Sequence, residues 1–144
     1  MGYEVRQPAP EEILPHRQPF IFVSRILSIE PEKSAVAEYD VPHDLSILRG
    51  HFPGYPILPG VIVLEMLAQT GALAILCREE FKGRLAYLAG VDSARFRRPV
   101  NPGDTLRAEM TMDSMRLNVG RARGKVTVGG EEVARATILF AIQK

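Results

Sequence analysis

The chain has 144 residues, 46% of them apolar and 24% charged, and a net charge of +1. That is enough for one domain, 1–144, with a real core, and it excludes the strong global field that nucleic acid or an anionic bilayer would select. Cys77 is the single cysteine, so no internal disulfide can form, which suits a reducing compartment such as the cytoplasm.

The opening MGYEVRQPAPEE lacks the apolar centre of a secretory leader. Arg6 stands where N-myristoylation after Gly2 wants Ser or Thr. Residues 11–16, EEILPH, read as a short helical turn stopped by Pro15. Phe20 to Glu30 is β-branched and aromatic and predicts a first strand, which Pro31 ends. Ser34 to Val41 alternates as a second strand. Residues 42–59 then form a long loop with four prolines, and a long irregular loop in a compact domain is usually functional.

A helix is predicted from about Gly60 to Phe81, closed by Gly83, with Arg78 and Lys82 near its C-terminal end. It is apolar all round and therefore reads as buried on every side. Glu65 and Gln69 inside it argue against a lone membrane span. Cys77, in the same run, reads as an inert buried thiol. Four strands follow: Arg84 to Phe96, Asp104 to Leu117, Val119 to Val128 and Glu131 to Ile142. Asn101-Pro102-Gly103 and Gly129-Gly130 supply turns between them, the second a two-residue hairpin. One long apolar helix among about six strands predicts an α+β fold in which a curved antiparallel sheet wraps the helix. A second copy of the chain would cover what the sheet leaves open.

The chemistry concentrates in GHFPGYPILPGVIVLEMLAQ, Gly50 to Gln69. A lone histidine beside a turn is more often structural. His51, however, sits among Gly50, Gly54 and Gly60, which permit close approach of backbone to a ligand. Pro53, Pro56 and Pro59 stiffen the same loop. Glu65 is a carboxyl in an apolar run, where burial raises the pKa and makes a general acid near neutral pH. Gln69 lies one helical turn on and can hold it. A buried polar pair that merely ties down a helix would look the same from sequence. Gly60, after Pro59, opens the helix, where free N–H groups can polarise a carbonyl oxygen; a plain glycine cap is the other reading. A base, an acid and an oxyanion donor together favour removal of a proton alpha to a carbonyl with loss of a leaving group.

The same stretch resembles the (3R)-hydroxyacyl-[acyl-carrier-protein] dehydratases of type II fatty acid synthesis, the FabZ-type enzymes. LPHRQPF at Leu14–Phe20, GHFPGYPILPG at Gly50–Gly60, EMLAQ at Glu65–Gln69 and AGVDSARFRRPVNPGD at Ala89–Asp104 are similar to that family's motifs, in order and spacing. The resemblance implies a hotdog fold and a homodimer, commonly a trimer of dimers. It implies that His51 of one subunit faces Glu65 of the other in a shared tunnel. His51 would take the alpha proton, Glu65 would help the beta hydroxyl leave, and the Gly60 amide would polarise the thioester. The chain departs from the family at His43 to Arg49, HDLSILR, and at Ser24, where an aspartate is usual.

Arg95, Arg97 and Arg98 cluster, with Arg78, Lys82 and Arg84 near the helix end. Such a run is usually a solvated face. Beside a tunnel that takes an acidic acyl carrier protein, it would be a docking rim. No metal-ligand spacing, phosphate loop or nucleophile elbow is present, and no metal or cofactor is expected. Two other readings stay open: a hotdog thioesterase, and a non-catalytic protein that binds acyl chains or their carrier.

Overall fold

The computed structural model describes residues 7–143. The leader and lipidation readings rest mainly on residues 1–6, which lie outside the described residues. From the N-terminal side come α1 (Pro10–Ile13), β1 (Arg25–Glu30), β2 (Ser34–Asp40), α2 (Ile47–His51) and α3 (Gly60–Leu76). Then follow a short 3-10 turn (Glu79–Phe81), β3 (Ala86–Phe96), β4 (Thr105–Arg116), β5 (Val119–Val128) and β6 (Glu131–Ile142). The six strands form one antiparallel sheet in the order β1-β2-β4-β5-β6-β3. The helix therefore carries the chain from one side of the sheet to the other, and β3 becomes an edge strand beside β6. This is the hotdog arrangement: a long helix held in the concave face of a curved sheet.

Side-chain size explains how closely α3 fits. One row across the sheet is Ala37–Ala108–Val126–Ala134, and the next is Ala35–Met110–Gly124–Ala136–Ala94. Small residues there let the helix sink into the sheet. A side chain at Gly124 would collide with the Glu109 carbonyl, 2.1 Å from where its Cβ would stand. Helix residues 69–76 are all buried.

Burial on every side holds only for that half of the helix. Towards the N-terminus, Val61 is 70% exposed, and Leu64, Glu65 and Ala68 are half-buried. The spacing i, i+3, i+4, i+7 makes them one open stripe in a single chain. The helix also stops at Leu76 and not at Phe81. Arg78 is already extended, and its guanidinium pairs with Glu32 and Glu80. Gly83, at φ +81°, closes the 3-10 turn that follows. The loop 42–59 holds a short helix, α2, that the prolines concealed.

The first strand begins at Arg25 and not at Phe20, and Gln69 is the reason. Its side chain is 1% exposed and uses both ends of the amide. Oε1 accepts from Phe22 N–H at 2.8 Å, and Nε2 donates to the Phe20 carbonyl at 3.1 Å. The backbone of this segment bonds to the helix, so it has no ladder to offer a neighbouring strand. Ser24 ends the segment: its N–H donates to Glu38 O at 2.7 Å, and its Oγ accepts from Asp40 N–H at 3.0 Å.

Gln69→Leu keeps the volume but leaves the Phe22 N–H and Phe20 carbonyl without their partner. Each stranded buried group costs about 1–3 kcal/mol. Urea denaturation at fixed protein concentration should show a loss of about 2–4 kcal/mol.

Candidate active site

His51 is the last residue of α2, and Gly54 at φ +80° turns the chain back behind it. The imidazole stacks on Phe52, with ring centroids 4.1 Å apart and planes 28° apart. Its Nδ1 lies 3.0 Å from the carbonyl oxygen of Ile57. A carbonyl only accepts, so Nδ1 is the donor in this contact, which leaves Nε2 outside it. The loop thus presents an imidazole whose Nδ1 is held by backbone.

Gly60 opens α3 beside it. Ile62 N–H and Val63 N–H make the first bonds to the Pro59 carbonyl, at 2.9 and 3.3 Å. The Gly60 N–H precedes them and has no acceptor within the helix. The ring of Phe96 lies against Gly60; a Cβ there would stand 3.2 Å from it. His51, Gly60, Phe96, Ile57, Val63 and Arg98 are among the walls of one cavity of about 320 Å³.

Glu65 lines a different cavity, of about 40 Å³, with Gln69, His16, Ala72, Leu88 and Phe140. In one chain, then, the structure places the expected base with the expected amide donor and sets the expected acid apart from both. Burial raises the Glu65 pKa, and the hydrogen bond from Gln69 opposes the rise in part. Gln69 Nε2 donates to Glu65 Oε2 at 3.2 Å. Because Phe22 N–H holds Gln69 Oε1, the amide cannot turn over, and Oε2 of Glu65 must act as acceptor. When Glu65 is protonated, the proton sits on Oε1.

Three further residues belong to these walls and were not singled out from sequence. His16 lies in the LPHRQPF motif, and burial lowers its pKa, which favours the neutral ring. Phe96 and Leu88 come from β3, an edge strand far along the chain, and no local pattern links them to Gly60 or Glu65. The basic rim is only partly free. Arg97 donates to Glu132 at 2.5 Å, and Arg98 lies 3.2 Å from Glu131. Hydrogen bonds from Arg135 and from Arg97 lower the Glu132 pKa to about 2. Arg95 is exposed, stands opposite Arg135 on β6, and has no carboxylate partner among the described residues. No helix among the described residues is long and apolar enough to cross a bilayer.

The buried carboxyl has a measurable consequence. Its raised pKa means that stability falls as pH climbs from the ordinary glutamate range through the folded-state value. Glu65→Gln removes the ionisation and keeps an acceptor for Gln69. At about pH 8 the variant should melt above the wild type, and the difference should fade as pH falls towards about 4. Thermal melts across that range read it directly.

Comparison with known proteins gives the same frame. A family model for a FabA-like domain matches residues 14–137. The 3-hydroxyacyl-[acyl-carrier-protein] dehydratase FabZ of Pelotomaculum thermopropionicum is 49% identical over 92% of this chain and 95% of its own. The protein of the same name from Roseiflexus castenholzii is 48% identical over 90% of this chain and 91% of its own. Among solved structures, the dehydratase heterocomplex ApeI:P from Xenorhabdus doucetiae superposes with a TM-score of 0.82, at 20% identity, over 96% of this chain and 93% of that one. That likeness speaks for the fold alone. The sequence matches reach further, and by them the chain belongs to the FabA-like family and, within it, to the FabZ-type dehydratases.

Proposed function

We propose that the protein removes water from (3R)-3-hydroxyacyl thioesters carried on acyl carrier protein, giving trans-2-enoyl thioesters for fatty acid synthesis. The observation that carries the reading is a pair of contrasting settings: an imidazole held at Nδ1 by a backbone carbonyl, and a half-buried carboxyl whose pKa burial raises. The relatives bearing the dehydratase name cover nearly the whole chain.

In this reading His51 Nε2 takes the alpha proton. Negative charge moves to the thioester oxygen, where the Gly60 N–H meets it. Glu65 Oε1 gives its proton to the beta hydroxyl, the C–O bond breaks, and water leaves. The imidazolium and the carboxylate return to their starting states by proton exchange with solvent. The residues supply all the proton transfers, and no cofactor enters the scheme.

The unit that does this is a dimer. His51 and Glu65 line separate cavities of one chain, which supports a site where a second copy brings its Glu65 to the first copy's His51. Two surfaces support such a partner. One is the open stripe Val61, Leu64, Glu65 and Ala68 on α3. The other is the edge strand β3, where Tyr87, Leu88, Val91 and Phe96 are each 44–51% exposed. An edge with unpaired backbone and apolar side chains is a template for pairing. We extend the reading to a trimer of dimers, which light scattering distinguishes from a dimer. The lone thiol of Cys77 fits a cytoplasmic setting.

His51→Ala and Glu65→Gln should each lose about 10²–10⁴-fold in dehydration while the fold persists. Co-expressed with different tags and purified as a heterodimer, the two inactive chains should regain activity, because one of the two sites then holds both wild-type residues. A confirmed heterodimer without recovery would put acid and base on one chain.

Arg95, Arg97 and Arg98 would face the acidic carrier at the tunnel mouth. Reversing Arg97 or Arg98 also breaks an in-chain ion pair, so Arg95→Glu is the cleaner test. It should raise KM for the carrier-bound substrate several-fold and flatten its salt dependence, with little change for a pantetheine thioester. Equal damage to both substrates would show that Arg95 serves the site and not docking.

A further inference from the structure

The small cavity beside Glu65 has a peculiar wall. Glu65, Ala68, Gln69 and Ala72 share one face of α3, so beside the carboxyl and the amide that holds it the helix offers two alanine methyl groups. Ala86 and Leu88 face it from β3, and Phe140 of β6 closes it. Leu88, Phe140, Gly120 and Met115 form one row across β3, β6, β5 and β4. Within that row the Phe140 ring leans towards Gly120. A Cβ on Gly120 would stand 2.2 Å from Phe140 Cζ, and at most 2.8 Å from two more ring atoms. The ring therefore occupies space that only a glycine leaves. Beside the ring, a cavity of about 40 Å³ remains before Leu88, Ala72 and Ala68. Phe140 itself is 5% exposed and buried among core residues, so it has few other places to go.

We propose that Phe140, seated over Gly120, is the specificity-determining wall of the site: it sets how long an acyl chain can extend past Glu65. The inference rests on the dehydratase reading above, in which the beta carbon lies at Glu65 and the rest of the acyl chain must run on from there. The apolar slot between the alanines of α3 and the strand β3 is where it runs. Gly120 makes no contact with the chain in this arrangement. It acts through the ring, by holding it out of the slot.

The test measures kcat/KM for a series of 3-hydroxyacyl pantetheine thioesters of increasing length, with the shortest as the internal reference. Pantetheine carriers keep protein docking out of the result. Gly120→Ala forces the ring towards Leu88, and the ratio of long-chain to short-chain kcat/KM should fall about tenfold, the scale of a methylene or two refused by an apolar site. Phe140→Leu removes the ring and should raise the same ratio about tenfold. Gly120→Ala combined with Phe140→Leu gives the new methyl room, and its ratio should return above that of Gly120→Ala alone. If Gly120→Ala does not fold, Phe140→Leu still decides the matter. A ratio that stays within about twofold of wild type in every folded variant would overturn the proposal. Wild-type protein inert at all chain lengths would overturn the dehydratase reading with it, so the two failures are distinguishable.

Discussion

The amide of Gln69 is the point on which the site depends. It is buried, it sits in the middle of the long helix, and its two ends answer to different parts of the molecule. Phe22 N–H fixes the oxygen, and the nitrogen is shared between Phe20 O and Glu65. A primary amide has two donors and one acceptor oxygen, and turning it over would set donor against donor at Phe22. The backbone of residues 20–22 therefore decides which atom Gln69 shows to Glu65. That in turn decides which carboxyl oxygen takes the proton when Glu65 is protonated. An irregular segment thus orients a carboxyl on a helix through a shared amide. The same bonds keep the segment out of the sheet, so the loss of regular structure at 20–24 and the orientation of the carboxyl have one cause.

Much of this was legible in the sequence. The strands after the helix follow their turn signals: Gly129-Gly130 at positive φ closes the β5–β6 hairpin, and Gly103 at φ +89° follows Asn101-Pro102. The helix start after Pro59 was also legible, since proline and glycine punctuate locally. The misplaced boundaries share a physical reason. Phe20 to Ser24 has strand-like residues, but a side chain 47 residues away takes its backbone bond at Phe22. The residues after Leu76 have helical character, yet Arg78 is drawn out to Glu32 and Glu80. Both are tertiary claims on local backbone, which no local pattern records. The short helix α2 is the reverse case, a regular turn hidden by the prolines that follow it.

The site divides in the same way. His51, Gly60, Glu65 and Gln69 stand out because glycine, proline and an ionisable group in an apolar run are anomalies that demand an explanation. Phe96, Leu88 and Phe140 do not stand out. They are ordinary strand residues, and their place in the walls follows from β3 crossing to the far edge and pairing with β6. The departure at Ser24 proved to have a local use, since its hydroxyl accepts the Asp40 N–H at the junction with β2.

The separation of His51 from Glu65 within one chain has its own logic. A free imidazole nitrogen in contact with a protonated carboxyl would take the proton, and the pair would settle as an ion pair with both groups in the wrong state for elimination. An acid and a base that must start in opposite states have to be kept from each other until a substrate lies between them. Here the proposed base is held by a carbonyl at the end of a stiff loop, and the proposed acid by partial burial and by one amide on the helix face. Each side chain is held by neighbours of its own. Such a design works only if the two groups meet across the substrate, one on each side of the bond that breaks. In the dimer proposed above, placing them in separate cavities of one chain and leaving the stripe from Val61 to Ala68 open makes the meeting a property of two chains together.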